Sequence, residues 1–207
     1  MPVRGLDRGQ KAALVISECQ NGITNARYNS SPLITEVTAR GIIPRISELA
    51  RVFRAARLPV VHCTITGRPG WNGFRVNCAL SAQLVKDGRL IAGTAHGAIH
   101  DELSVDSTDL VSARHHGMSP FTGTDLDATL RGLEVETVVL AGVSTNIALP
   151  GAATEAVALG YEVVLAEDCS AGGTADTHLM QVTMHLPLLA SVTGSADIIA
   201  SLAGGKS

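Results

Sequence analysis

The feature that most constrains the fold is a series of short apolar runs, rich in valine and isoleucine, that alternate with helix-like segments. These runs are Ala12–Ser17, Pro59–Cys63, Asp109–Ala113, Thr137–Val143, Glu162–Ala166 and Ala190–Thr193. Runs that are apolar on both faces are typical of strands in a parallel sheet covered by helices. The sequence therefore predicts a doubly wound, mostly parallel six-stranded α/β sheet with helices on both faces.

The segments between these runs carry helix signals. Pro44 stands at a favourable first helical position, and Gly160 follows a predicted last turn. The predicted helices are Pro44–Arg57, Thr124–Leu130, Ala148–Leu159 and Thr174–Leu189. The stretch Thr64–His100 does not fit this pattern, because it contains six glycines and the only tryptophan. A long glycine-rich insertion after a strand is expected to be functional.

Composition excludes several classes of protein. The chain has 207 residues, of which 45% are hydrophobic and 17% charged, and we expect one globular domain over residues 1–207. A net charge of −3 without a lysine or arginine cluster argues against nucleic acid or an anionic membrane as a partner. No apolar run is long enough to span a bilayer, and no export signal is visible, so we expect a cytoplasmic protein with reduced, mostly buried cysteines.

Few residues that could carry chemistry follow the predicted strands, where ligands of doubly wound sheets bind. Glu18 follows the first run, and His115 and His116 follow the third. The turn Gly142–Ala148 leads from a strand into a helix, and its backbone N–H groups would point at a bound ligand. Each has an ordinary alternative: Glu18 as a cap or surface acid, the histidines as solvated loop side chains, and the turn as a plain connection.

The sequence predicts no metal and no cofactor. The second run is followed by Thr64–Arg68, which offers no metal ligand, and His96 and His100 have no third ligand nearby. Neither a GxGxxG motif nor a phosphate-binding loop occurs, so nucleotide cofactors are unsupported.

Four ordered blocks, spread from about Ala12 to Thr193, resemble the isochorismatase-like cysteine hydrolases. The block ALVISECQN resembles the first strand of that family. MSPFTGTDLDATL, TVVLAGVSTNI and AVALGYEVVLAED resemble its later segments. The blocks are Ala13–Asn21, Met118–Leu130, Thr137–Ile147 and Ala156–Asp168. The resemblance covers nearly the whole chain and implies the same fold, a hydrolase activity and a homo-oligomer, with Thr64–His100 as a contact surface.

The resemblance also implies where the family's catalytic aspartate, lysine and cysteine would fall, namely on Glu18, His115 and Ala148. Alanine cannot be a nucleophile, and neither Cys19 nor Cys63 is well placed to replace the missing thiol. True isochorismatases resemble this chain in having a small residue at that position, and they cleave a vinyl ether with the acid as proton donor. The leading hypothesis is therefore a hydrolase without a cysteine nucleophile, acting on a small polar or carboxylate-bearing molecule.

In this hypothesis Glu18 is the general acid or base, and His115 is its electrostatic or proton-relay partner in one crevice at the ends of adjacent strands. The backbone of Ser144–Ala148 polarises the substrate, and Asn146 makes a polar contact. Trp71 and Phe121 wall the pocket, although both could equally be core or interface aromatics.

Three other functions remain open at this stage. The chain could be a catalytically inert binding or assembly protein that kept the pocket, since all three family positions differ. It could be an enzyme of new chemistry in which Glu18 works with His115 or His116. It could also be an amidohydrolase for small amides or ureides with a rewired site.

Overall fold

The computed structural model describes residues 3–204, and its strands form one six-stranded parallel sheet. The strands are β1 (Ala12–Ser17), β2 (Val60–Ile65), β3 (Leu110–Arg114), β4 (Thr137–Val143), β5 (Glu162–Ala171) and β6 (Ser191–Thr193). Their order is β3-β2-β1-β4-β5-β6, and every neighbouring pair is parallel. This confirms the predicted doubly wound sheet.

Helices connect the strands and cover both faces of the sheet. They are α1 (Asn21–Thr24), α2 (Pro32–Arg40), α3 (Ile42–Ala55), α4 (Ala79–Asp87), α5 (Leu126–Gly132), α6 (Ala148–Ala158), α7 (Ala175–Met180) and α8 (Ser195–Gly204). Shorter segments are the 3₁₀ turns Pro69–Trp71 and Leu186–Leu188 and the π-helical turn Gln181–His185.

Two apolar cores hold the layers together. Because successive side chains of a strand point to opposite faces, Leu14 and Ile16 of β1 pack into one core with α3 and α8. Ala13 and Val15 pack into the other core with α5 and α6. Every residue of β1 and β4 is buried, which explains why both sequences are apolar without alternation.

Some predicted boundaries were wrong for identifiable reasons. Only Ala175–Met180 of the helix predicted over 174–189 is α-helical, and the chain continues as the π-helical turn Gln181–His185 and the 3₁₀ turn Leu186–Leu188. The helix predicted from Pro44 begins two residues earlier, at Ile42. The stretch Thr64–His100 contains α4, which the surrounding glycines concealed.

This topology fixes where a ligand can bind. All strands are parallel, so their carboxyl ends lie along one edge of the sheet. The direction of winding reverses between β1 and β4, which leaves a crevice outside their carboxyl ends. The residues that end or follow β1, β2, β3 and β4 at this edge are Glu18, Ile65, Arg114 and Ser144.

Candidate active site

Glu18 lies directly after β1 in an uncommon backbone conformation. Its φ is +53°, in the left-handed region that residues other than glycine rarely adopt, and its N–H donates to the Cys63 carbonyl at 2.9 Å. A non-glycine residue held there marks a position at which the surrounding structure imposes the geometry. The Glu18 side chain is 16% exposed, so its carboxylate sits at the boundary between the core and the crevice.

The partner of Glu18 is Arg114, the last residue of β3, whose Nη2 donates to Oε1 of Glu18. Strand β2 lies between β1 and β3, so the guanidinium reaches across it to the carboxylate. The Arg114 side chain is only 1% exposed, and its Nε and Nη1 have no hydrogen-bond partner within residues 3–204. An incompletely satisfied buried cation is uncommon in proteins and requires a functional or structural reason.

Both residues line a cavity of about 260 Å³ at the switch in strand order. Apolar side chains form most of its wall, and they come from β2, β4, α1, α2, α4 and the loops around the sheet edge. These apolar residues are Ile23, Leu33, Ile65, Leu80, Leu84, Met118, Val143 and Ile147. Ser144, Gln83, Asn29, Ser31 and Asp87 add polar groups to the lining. The cavity therefore combines one charged pair with a largely apolar wall.

The turn after β4 brings backbone donors to the same cavity. Ser144 and Ile147 line it, and Ala148 opens α6. The N–H groups of Thr145 and Ile147 are used, donating to Ala171 and Ser144. The N–H groups of Ser144, Asn146 and Ala148 donate no hydrogen bond within the described part of the chain. Free amides at a helix N-terminus suit a developing negative charge on a ligand oxygen.

His115 does not join Glu18, contrary to the prediction. Its Nδ1 donates to the Thr66 carbonyl at 3.0 Å, and it is not among the residues that line the cavity. His115 is the first residue after β3, which ends at Arg114, and it is half-buried against Thr66. The strands β1 and β3 were expected to be neighbours in the sheet, but β2 lies between them. His116 lies outside the lining too, against Gly123.

The two predicted aromatic walls also lie elsewhere. Trp71 packs edge-on against Phe74, with 4.9 Å between ring centroids, and covers Gly67, where a Cβ would lie 2.6 Å from the indole. Phe121 is buried in the core beneath α5 and α6, 6.2 Å from the ring of Tyr161. Neither ring lines the cavity. Aliphatic side chains take that role instead.

Asn146 and Ala148 support the turn and do not line the cavity. Oδ1 of Asn146 accepts from the Gly173 N–H at 2.9 Å, and Ala148 is buried as the first residue of α6. Their side chains therefore have structural surroundings, whereas Ser144 is one of the residues that line the cavity.

A second polar network contacts the turn after β4 through Thr145. Thr145 Oγ1 lies 3.1 Å from Nδ1 of His178, and Nε2 of His178 lies 3.0 Å from Oε1 of Glu167. Arg40 donates to Glu167 and, through Nε, to the Ser170 carbonyl at 2.8 Å. Burial lowers the pKa of His178 below its ordinary value, so the ring is neutral near pH 7. None of these side chains lines the cavity.

Three of the four cysteines, Cys19, Cys63 and Cys169, are buried. Burial raises the pKa of Cys63 and of Cys169 to about 12 and also raises the pKa of Cys19. Cys78 is exposed at the N-terminus of α4, and hydrogen bonds from Ser81 lower its pKa. None of the four is among the described residues that line the cavity.

Within residues 3–204, no group of three or more His, Cys, Asp or Glu side chains is arranged to hold a metal ion. In the same range, no helix has the length and apolar character needed to cross a membrane.

Arg114 and the side of α4 that lines the cavity were not predicted from the sequence. The signal for Arg114 was the alternation of Leu110, Ser112 and Arg114, which places a cation on the inward side at a strand end. The signal for α4 was the pair Leu80 and Leu84, four residues apart and followed by a glycine at the helix end.

Comparison with known proteins agrees with this fold and identifies the family. The profile described as Isochorismatase domain matches residues 12–197. The isochorismatase family protein YecD of Escherichia coli is 30% identical, with 92% of this chain and 95% of YecD covered. Maleamate amidohydrolase of Pseudomonas putida is 25% identical, with 82% and 76% covered. An isochorismatase family protein of Desulfovibrio vulgaris has the same fold, with a TM-score of 0.81, 23% identity, and 94% and 100% covered. The chain belongs to the isochorismatase family.

Proposed function

We propose that this protein is a hydrolase of small amides that activates water with Glu18 and lacks a cysteine nucleophile. The observation that carries the proposal is the Glu18–Arg114 pair in the cavity wall, beside a turn with free backbone donors. Alanine occupies the start of α6, where the family resemblance places the thiol, and the native cysteines lie outside the lining. Arg114, rather than His115, is the cation that accompanies the acid.

The proposed reaction moves one proton twice. Glu18 accepts a proton from water as the water oxygen bonds to the amide carbonyl carbon, and the carbonyl oxygen becomes negative. The backbone N–H of Ser144, which is free within residues 3–204 and belongs to the cavity lining, stabilises that oxygen. The C–N bond then breaks as the nitrogen takes the proton from Glu18, which releases an acid and an amine. General base catalysis and preorganised donors each contribute about two or more orders of magnitude in rate.

The ion pair favours this reaction over vinyl ether cleavage. A vinyl ether needs a protonated acid that donates to carbon. The guanidinium of Arg114 donates to Oε1 of Glu18, so this oxygen is held as a hydrogen-bond acceptor and not as a proton donor to a ligand. The name of the relative maleamate amidohydrolase supports an amide bond as the target.

The test combines a substrate panel with a cysteine-free variant. The panel contains small amides, ureides and isochorismate, and the variant carries Cys19→Ala, Cys63→Ala, Cys78→Ser and Cys169→Ala. We expect the folded variant to retain the turnover of the wild type, and intact-mass spectrometry during turnover to show no covalent adduct. Loss of activity in the folded variant, or an acyl adduct, would contradict the proposal. Hydrolysis of no compound by the wild type would favour an inert binding protein.

We also propose that the chain folds as one domain over residues 1–207 and works in the cytoplasm as a homo-oligomer. Size-exclusion chromatography with light scattering tests the oligomer, and a monomeric mass at micromolar concentration would contradict it.

A further inference from the structure

We infer that the cavity selects an uncharged substrate with an apolar body, so that this enzyme prefers neutral carboxamides to amides that also carry a carboxylate. The inference rests on the proposed function only for the bond that is cleaved. Its content concerns binding, and it can be measured whether or not turnover occurs.

The charges that face the cavity leave no free cation for an anionic ligand. Among the described lining residues the charged ones are Glu18, Asp87 and Arg114. Nη2 of Arg114 is occupied by Glu18, while its Nε and Nη1 are buried away from solvent and offer no donor to the cavity. A ligand carboxylate would therefore meet two carboxylates and a cation that is already paired.

The arginine nearest to Asp87 is occupied as well. Arg89 donates through Nε and Nη2 to Asp87, and through Nη1 to the Tyr28 carbonyl at 3.0 Å. Arg89 does not line the cavity. A carboxylate placed in this cavity would lose its hydration without gaining a counter-ion, and an uncompensated charge is costly to bury.

The apolar part of the cavity wall favours ligands with an apolar body. Eight aliphatic or thioether side chains line the cavity, and each methylene that a ligand buries against such a wall strengthens binding about fourfold. The volume of about 260 Å³ is below the range of roughly 300–1,000 Å³ typical of drug-sized ligands. The site thus fits a compact amide with an apolar body whose polar head meets Glu18.

The experiment compares matched pairs of ligands by calorimetry at pH 7.5, where carboxylates are ionised. The neutral members are hexanamide and benzamide. Their charged counterparts are adipamate and 4-carbamoylbenzoate, which add one carboxylate at the far end. We expect each neutral amide to bind at least about tenfold more tightly than its counterpart.

A variant reverses the preference in a controlled way. Leu80 lines the cavity and is 38% exposed, so Leu80→Arg adds a cation to the cavity wall without disturbing the core. We expect Leu80→Arg to raise the affinity for adipamate relative to hexanamide by at least about tenfold, and the neutral control Leu80→Gln to leave that ratio unchanged.

Equal or tighter binding of the charged amides by the wild type, or no binding of any of the four, would overturn the inference. Binding of the neutral amides without hydrolysis would support charge selection while contradicting the proposed function, so the two failures are distinguishable.

Discussion

Two pairs of arginine and glutamate lie on opposite sides of the turn that follows β4, and they differ in how completely they are satisfied. Glu18 and Arg114 face the cavity, and two nitrogens of Arg114 lack partners. Glu167 and Arg40 lie outside the lining, where they bond to His178, the Ser170 carbonyl and the Glu167 carbonyl and leave no buried side-chain atom unpaired within residues 3–204. The chemistry of the side chains is the same, but their surroundings are not.

The difference indicates which pair acts on a ligand. A fully satisfied network rigidifies its surroundings, and this one holds the turn through Thr145. A charged pair that lines a cavity, with Glu18 held at φ +53° and two buried nitrogens of Arg114 unpaired, departs from the rules that structural elements obey. Such departures concentrate at functional sites. This contrast supports the proposal that Glu18 carries the chemistry, while Glu167 supports the turn.

The largest contrast is expected from removing each cation. Arg114→Met should lower turnover at least about 100-fold, because Glu18 loses the group that holds it, and should lower the free energy of unfolding by about 3 kcal/mol. Arg40→Met should lower the free energy of unfolding by about 1 kcal/mol, because both partners are partly exposed, and keep turnover within about threefold. Urea unfolding and initial rates measure both. Equal losses of turnover in the two variants would contradict the division of roles.

A smaller effect concerns pH. Burial lowers the pKa of His178 from its ordinary 6.5, so the unfolded chain binds more protons just below that pH. The stability it contributes is present above pH 6.5 and is lost as the pH falls further. The pKa values of His62 and His100 are shifted in the same direction, mainly by burial. Tm should therefore decrease from pH 7.5 to pH 5.5.

The matched variants for this prediction are His178→Gln and, as control, substitution of the exposed His185 by glutamine. In His178→Gln, the decrease in Tm between pH 7.5 and pH 5.5 should be smaller than in the wild type. Each kcal/mol of pH-dependent stability that the variant no longer loses should reduce the decrease by about 2–4 °C. In the control, the decrease should be unchanged. A pH dependence that is identical in both variants would show that His178 is not a proton-linked part of the network.

The smallest effect is expected from alkylation. Cys78 is exposed with a lowered pKa, whereas the other three thiols are buried with raised pKa values. Iodoacetamide should label Cys78 alone, as peptide mapping would show. The labelled protein should retain full turnover, and Cys78→Ser is the control. A loss of activity that follows labelling and is absent in Cys78→Ser would give the thiol a role that we exclude.

The sheet and the position of Glu18 were predictable because they depend on local pattern. β1 and β4 have the predicted bounds, since their apolar runs are bordered by polar residues or glycines. The partner of Glu18 was not predicted, because a shift of one residue along β3 exchanges the inward and outward sides. Matching residues to the family by sequence selected His115, and the strand geometry placed Arg114 inward.

The cavity wall was the least predictable part. Leu80 and Leu84 reach it from α4, which lies between glycine-rich segments and has Cys78 in place of a common capping residue. The aromatic residues chosen for the wall pack elsewhere because large rings gain more from the core than from an open cavity. Long-range packing of this kind leaves little trace in local sequence.

The most direct test of the central claim is the turnover number of Glu18→Gln compared with that of Glu167→Gln on the same substrate. Glutamine keeps the size and the hydrogen bond to arginine in both variants but cannot accept a proton from water. We predict that Glu18→Gln lowers the turnover number at least about 100-fold, while Glu167→Gln stays within about threefold of the wild type. A folded Glu18→Gln variant with the turnover number of the wild type would contradict the account.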